Sequence, residues 1–476
     1  MKRVEVRRAR RSNFIAALIA LTLTVGAGAD SSSAVAQVKA AADGAPHGGA
    51  FEPAGPHGGF FEPAASSAVR PRLTAAQIEA LVPVRGKFTF PPPYRTEAVR
   101  LTNASDCGGR DCVDYIGYSY WGRTNNHVGR DTMLVLVVLD RNRGGAGPTL
   151  FSYDKRTDAV TKLKPVFAPN DPMSWASGDM WYFSAVDPQM LYVNDGPKLR
   201  RYDVVTKRFR NVFDVSTHPE TFGRDRIVWQ LHSSDDDRVH SATLRDRSSN
   251  ADLGCLVYRE DVGRFSYFPS KGINYDECQV DKSGQWLLIK EKVAKDPRFD
   301  VDNRIIELAT GKETVLLDPD GAGGHSDNGW GYMVAADNWH PLPGAFRLWK
   351  FAQTPLAGTV VYRNISWATV APNHVSHANA RRDVPPEKQY VCGSGASKND
   401  SPRSNEIFCF RLDGSMRVLV VAPVMTDMEA PGGGNEYAKL PKGTLDITGR
   451  YFLWTSNMGG GRLDAFIVKV PPPFAS

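Results

Sequence analysis

The clearest hydrophobic and polar pattern along the 476-residue chain is a short polar turn followed by an apolar strand. It is sharpest at Asp281-Lys-Ser-Gly-Gln-Trp-Leu-Leu-Ile and at Asp446-Ile-Thr-Gly-Arg-Tyr-Phe-Leu-Trp, both D-x-[ST]-G feeding large apolar residues. A turn that needs a permissive glycine, then a run of bulky side chains, predicts a β-hairpin. The two copies start 165 residues apart (446 − 281), three periods of 55. A second pattern, an apolar strand ahead of a turn and another strand, recurs at Leu150-Phe-Ser-Tyr, Leu199-Arg-Arg-Tyr, Ile305-Ile-Glu-Leu and Ile407-Phe-Cys-Phe. Its gaps of 49, 106 and 102 residues are one, two and two periods of about 50. Intervening members fall at Cys255-Leu-Val-Tyr, Phe346-Arg-Leu-Trp and Asp464-Ala-Phe-Ile, which makes seven.

Strand-built repeats of this length predict an all-β fold, a seven-bladed β-propeller over residues 96–476. The last repeat ends after three strands, and an unpaired blade edge is an aggregation risk. Thr96 to Asn103, ahead of the first blade, is expected to supply the fourth strand and close the ring. A six-bladed ring and a pair of β-sandwiches are the competing architectures.

The N-terminus breaks the pattern. Residues 1–29 combine a basic start, an apolar run from Phe14 to Val25 and the small residues Ala27-Gly28-Ala29, the features of a secretory signal peptide. Arg10-Arg11 raises twin-arginine export, but Phe14 falls one place late for that pattern. Residues 30–72, rich in Ala, Gly, Pro and Ser, are expected to form a disordered tether. Residues 73–95 hold a short helix, with Thr74 as N-cap and Pro83 closing it, and an extended lead-in. No later apolar run reaches transmembrane length.

The signal also accounts for most of the charge. The chain carries +6; Lys2, Arg3, Arg7, Arg8, Arg10 and Arg11 against Glu5 contribute +5, leaving +1. Nothing there points to a nucleic-acid partner. Six cysteines suit an exported protein in the periplasm or outside the cell, expected as a monomer. Pairing by proximity gives Cys107 with Cys112, Cys255 with Cys278 and Cys392 with Cys409, although six cysteines allow about fifteen connectivities.

The D-x-[ST]-G-x-[WY]-[LF]-L hairpin resembles the S-P-D-G-x-x-[IL] hairpin of TolB-type propeller repeats, across residues 96–470. Blades 2 and 3 lack it. Within that broad group the chain is similar, more loosely, to oligogalacturonate and ulvan lyase propellers. That likeness implies histidines, an arginine or tyrosine, and in some cases a divalent metal around the central channel.

In a propeller the starts of the innermost strands meet at one mouth of the channel. Asp276 with Glu277, His325 with Asp327, and His374 with His377 are candidates there, because 276, 325 and 374 are evenly spaced by 49. Asn126-His127-Val128 repeats the N-H-V of residues 373–375, which puts His127 in the same set. His127, His325 and His374 are therefore candidate ligands for one divalent metal, zinc, manganese or calcium. His377 lies three places beyond His374 and reaches the channel only across a bulge. Trp330 is a candidate stacking surface for a sugar, and Ser233 to Asp237 a candidate calcium loop.

Two functions follow from these candidates. One is a binding propeller that holds a glycan or a partner protein at the mouth. The other is a lyase that eliminates across uronate linkages, with His374 as base and Tyr437 or Lys442 as acid or charge stabiliser.

Overall fold

The computed structural model describes residues 52–53 and 58–472, apart from internal stretches at 115, 128, 294–301, 318–322, 338–341, 343, 355, 365–373 and 435. The expected signal peptide lies outside the described residues. Seven antiparallel sheets follow one another along the chain as the blades of a propeller, each beginning with its innermost strand. The recurring apolar segments of the sequence are the third strands Lys198–Asp203, Asp252–Arg259, Asp302–Glu307, Ala345–Lys350, Glu406–Arg411 and Asp464–Lys469. In blade 1, where isolated bridges at Val113 and Thr124 replace a regular innermost strand, the segment is the middle strand Gly147–Asp154.

The ring closes as the short last repeat predicts. Strand Glu97–Arg100 pairs with Asp464–Lys469, in the register Ile467↔Val99 and Val468↔Ala98, and completes blade 7 from the N-terminal side. Asp464, fully buried, accepts hydrogen bonds from Arg100 at 2.7 Å and Thr102 at 2.7 Å, which ties the two ends of the chain together.

The D-x-[ST]-G turns join the innermost strand of a blade to the second. Asp446 Oδ1 accepts the backbone N–H groups of Arg450 and Tyr451 at 2.8 and 2.7 Å. Asp281 Oδ1 does the same for Gln285 and Trp286 at 3.1 and 3.0 Å. Gly284 and Gly449 take φ of +68° and +70°, a region costly for any residue with a Cβ. The second oxygen reaches the next blade: Asp281 Oδ2 accepts Gly331 N–H at 2.8 Å, and Asp446 Oδ2 accepts Asn126 Nδ2 at 2.7 Å. The pattern recurs because it makes both the hairpin and the joint between blades. In blade 2 Ser184 does the same work, its Oγ accepting Val186 and Asp187 N–H.

The three disulfides are Cys107–Cys112, Cys255–Cys278 and Cys392–Cys409. Cys255–Cys278 joins the third strand of blade 3 to the innermost strand of blade 4, a covalent stitch between blades.

One N-terminal expectation needs correction. Residues 58–72 are not a free tether. Phe60–Pro63 pairs with Arg417–Pro423 at the outer edge of blade 6, and Phe60 is buried. Arg70 bridges Glu62 at 2.7 Å and Glu406 at 2.5 Å, while buried Arg403 pairs with both carboxylates. Average composition hides this, because three residues with specific partners hold the strap. The helix Ala75–Leu81 follows, with a capping box between Thr74 and Gln77.

Candidate functional site at the channel mouth

Strand register decides which side chains meet. In blade 4 Glu277 pairs with Lys290, and in blade 6 His374 pairs with Ser394. In blade 5 the Ala336 N–H bonds the His325 carbonyl. Each partner stands four places after the first residue of its second strand, Trp286, Tyr390 or Tyr332. Extending the Thr444↔Leu453 register puts Lys442 at the same level in blade 7. Glu277, His325, His374 and Lys442 are thus equivalent positions in four successive blades. The even spacing of 49 was one residue off: His325 matches Glu277, and Asp276 beside it is exposed.

Across from this arc, the segment Tyr118–Trp121 leads into blade 1 and crosses the channel. Tyr118 packs on His374 (ring centroids 5.1 Å), His325 (6.1 Å) and Tyr437 (6.3 Å). Tyr120 stacks on Tyr118 at 5.4 Å and 8°, and donates to Glu277. Ser119 Oγ donates to the Val375 carbonyl at 2.6 Å, and Trp121 Nε1 to Leu231 O at 2.9 Å. These bonds tie the segment to blades 3, 4 and 6, so it plugs the channel and separates its two ends.

The histidine rings lie 4.2 Å apart. Burial pushes the His325 imidazole down to about 4, helped by the Lys290 charge, and burial beside His325 holds His374 well below the usual range. Both rings are neutral near pH 7. Lys442 lies over the Tyr437 ring at 3.7 Å and donates to the Tyr437 carbonyl. Burial lowers its ammonium to about 7, against the pull of Asp179 and Asp114. The Tyr437 hydroxyl donates to Tyr118. Burial would raise the Glu277 carboxyl, but Lys290 (3.2 Å) and the Tyr120 hydroxyl hold it below its ordinary value. The mouth therefore presents two neutral imidazoles, a lysine poised near neutrality, three tyrosines and one neutralised carboxylate.

Several expected members lie elsewhere. His127 is not part of the cluster. Thr124 bridges Val135, and the Leu136 N–H bonds the Arg123 carbonyl, so blade 1 places Arg123 at the level of the histidines. His127 falls past the end of that strand, bonding the Ser184 backbone of blade 2. The N-H-V match misled because three residues cannot fix a strand register. Arg123 is 1 % exposed, its guanidinium fitting against Gly117 and Gly178, where a Cβ would stand 3.0 and 3.5 Å from it. His377 is fully buried and bonds Tyr332 Oη at 2.6 Å, a joint between blades 5 and 6. Asp327 and Trp330 belong to the far ends of the innermost strands, where Arg382 covers the Trp330 ring at 5.8 Å.

These placements bear on the metal. Among the described residues no group of three or more His, Cys, Asp or Glu side chains is arranged to hold an ion. Two histidines with His127 removed, and a carboxylate already engaged by Lys290 and Tyr120, do not make the expected three-histidine set. The residues that sequence reasoning missed are Tyr118, Tyr120 and Lys290. Tyr118-Ser-Tyr-Trp121 lies outside any strand, so no periodicity marked it.

No family model matches the sequence, and no curated protein does. Solved structures do. An oligogalacturonate lyase in complex with manganese aligns with a TM-score of 0.55 at 12% identity, over 86% of this chain and 99% of that one. Oligogalacturonate lyase from Vibrio parahaemolyticus aligns at 0.53 and 11%, over 86% and 100%. TolB from Acinetobacter baumannii aligns at only 0.36 and 10%, over 66% of this chain and 64% of that one. At such identities the likeness is one of fold, and the propeller resemblance read from the hairpins holds at that level.

Proposed function

We propose that this chain is an exported propeller that binds an acidic glycan at the mouth formed by Glu277, His325, His374 and Lys442. The observation that carries the reading is the equivalence of these positions around the ring, capped by stacked Tyr118 and Tyr120. Flat aromatic faces suit sugar rings. Neutral imidazoles offer a donor or an acceptor to hydroxyls. Lys442 gains a proton at little cost when a carboxylate arrives beside it. Three disulfides fit an oxidising compartment.

The similarity of fold to oligogalacturonate lyases supports a second reading, elimination across a uronate linkage. Here Lys442 is the better base. A base works best with a pKa near the operating pH, which favours Lys442 at about 7 over the weakly basic His374. Neutral Lys442 would take the proton next to the carboxylate, the adjoining C–O bond would break, and Tyr437 or Tyr118 would protonate the departing oxygen. No step in this scheme runs through a metal.

Titration calorimetry with oligogalacturonate tests both readings, together with the absorbance of unsaturated uronate products. Saturable binding that the His325→Ala/His374→Ala variant loses, without new absorbance, supports the binding propeller. Absorbance that grows with time supports the lyase. No binding by the wild type removes both for this glycan.

A further inference from the structure

The other end of the channel is built differently. A cavity of about 90 Å³ opens where the innermost strands finish, lined by residues of all seven blades. The plug forms its floor, since Tyr120 and Trp121 also line it. Its charged lining is Asp235, Asp237 and Asp327 against a single ammonium, Lys282. Lys282 is engaged by Asp235 at 3.2 Å. Asp237 accepts the Ser184 hydroxyl at 2.5 Å, and the Tyr192 hydroxyl and the Arg201 charge act on it as well. Asp327 accepts two backbone N–H groups, from Asn328 at 2.8 Å and His377 at 2.5 Å. Asp237 and Asp327 therefore face the cavity with no ion pair within 4 Å among the described residues, and Arg201 and Lys282 act on them only from farther off.

A second observation points the same way. Two side chains that line the cavity keep a buried polar atom with no partner, His232 Nε2 and Asn328 Oδ1. Both residues are more than nine-tenths buried, at 9 % and 4 % exposure. Asn328 Oδ1 can only accept, and its Nδ2 is already spent on Gln279 at 3.1 Å. His232 is stacked on Trp121 at 5.8 Å and held there as a neutral ring. A buried acceptor without a donor costs about 1–3 kcal/mol, so a group placed here that donates several hydrogen bonds and carries positive charge would relieve several costs at once.

We propose that this second mouth is a binding site for a cationic nitrogen group, a primary ammonium or a guanidinium on a narrow stem. The group would set its charge between Asp237 and Asp327 and donate to Asn328 Oδ1. The donor set does not suit a metal ion, because no three carboxylates or imidazoles converge among the described residues. The cavity admits a head group rather than a whole large ligand, so the cation is either a small amine or one side chain of a peptide. This site is independent of the glycan reading, which concerns the opposite mouth.

The test is calorimetry and thermal unfolding of the full chain with 1,4-diaminobutane and, separately, with a glycine-flanked arginyl peptide, at matched ionic strength in sodium chloride. Saturable one-to-one binding of either probe is expected, and the probe that binds identifies the source of the cation. Asp327→Asn and Asp237→Asn each remove one charge-assisted contact and should weaken binding about tenfold or more. The His325→Ala/His374→Ala variant should bind as the wild type does. The proposal is overturned if neither probe saturates, if sodium chloride alone reproduces the thermal shift, or if binding persists in the folded aspartate variants. A stabilisation specific to calcium, without amine binding, overturns it in favour of a metal.

Discussion

The two ends of one channel, built from the same strands, carry opposite chemistry. At the starts of the innermost strands stand His325, His374, Lys442 and Glu277, with Lys290 of the adjoining strand paired to Glu277. At the finishes stand Asp235, Asp237 and Asp327, with Lys282 as their cation. His325 and Asp327 are only two residues apart on one strand, and period-two geometry turns both to the same face. Burial acts on both ends in the same sense, toward the neutral form: it lowers His325 to about 4 and raises Asp327 to about 6. Each mouth therefore holds groups whose charged forms burial disfavours, and under the readings proposed above a ligand of the opposite sign would restore them. The plug keeps the two apart.

The largest effect should come from removing the carboxylate at the basic mouth. Glu277 and Lys290 are both nearly inaccessible. Glu277→Gln removes the charge paired with the buried Lys290 ammonium, which also donates to the Gly324 carbonyl at 2.6 Å. An uncompensated buried charge costs ~3–5 kcal/mol, measurable by denaturant unfolding at pH 7. Adding Lys290→Met to that variant should recover most of the loss. A single variant within ~0.5 kcal/mol of the wild type, the range of ordinary surface changes, would mean that the basic mouth does not depend on this pair.

Next in size is the loss of ligand from that mouth alone. His325→Ala/His374→Ala should weaken an acidic oligosaccharide about 100-fold, the scale of a binding hot spot, and leave amine binding at the other mouth unchanged. Equal loss at both mouths would mean that the plug transmits the change and that the two sites are one.

How much of this division was legible in the sequence follows from what fixes each part. The blades were legible because Asp281 and Asp446 do two jobs at once, closing a hairpin and bonding the next blade, and so leave a repeated signature. His325 and His374 were legible from their spacing, since equivalent strands recur at nearly constant distance. Assignment to one mouth or the other was not. It depends on register to a single residue, and the turns between strands differ in length from blade to blade. His127 and Asp327 were therefore placed at the wrong end. Tyr118 and Tyr120 cross the channel from a segment without periodicity, where only the folded ring gives them partners. The strap at Phe60 to Arg70 was hidden by its composition, because its order comes from a few paired residues.

A smaller and opposite effect should mark the acidic mouth. The Asp327 carboxyl is raised to about 6 by burial, with Asp235 adding to the rise and Lys282 and the His377 N–H opposing it. The imidazole of His377 stays neutral over this range, at about 3. A carboxyl raised on folding stabilises the protein fully below its unfolded value, and that stability is lost as pH climbs through about 6. Asp327→Asn removes the titration but keeps an acceptor for only one of the two N–H groups, those of Asn328 and His377. Its stability relative to the wild type should therefore be about 1–3 kcal/mol better above the folded value than below the unfolded one, in unfolding curves taken on both sides. A gain that does not change with pH would assign the effect to packing. Saturating amine should shrink the advantage by stabilising the wild type alone.

The finest test concerns Lys442, because it separates the basic mouth from its histidines. Its ammonium falls to about 7 in the folded chain from the ordinary 10.5. The stability linked to this group is therefore present above the unfolded value and lost as pH falls through about 7. An acidic ligand reverses that penalty by pairing with the charged form. Binding should then weaken as pH rises through neutrality, by up to about tenfold per unit where a single proton is taken up on binding. His325 and His374 cannot produce this slope, since both rings are already neutral there. Lys442→Met should flatten the profile and leave the affinity near that of the wild type at high pH, because neutral lysine contributes no charge. A slope that survives in Lys442→Met would move the proton to another group at the mouth.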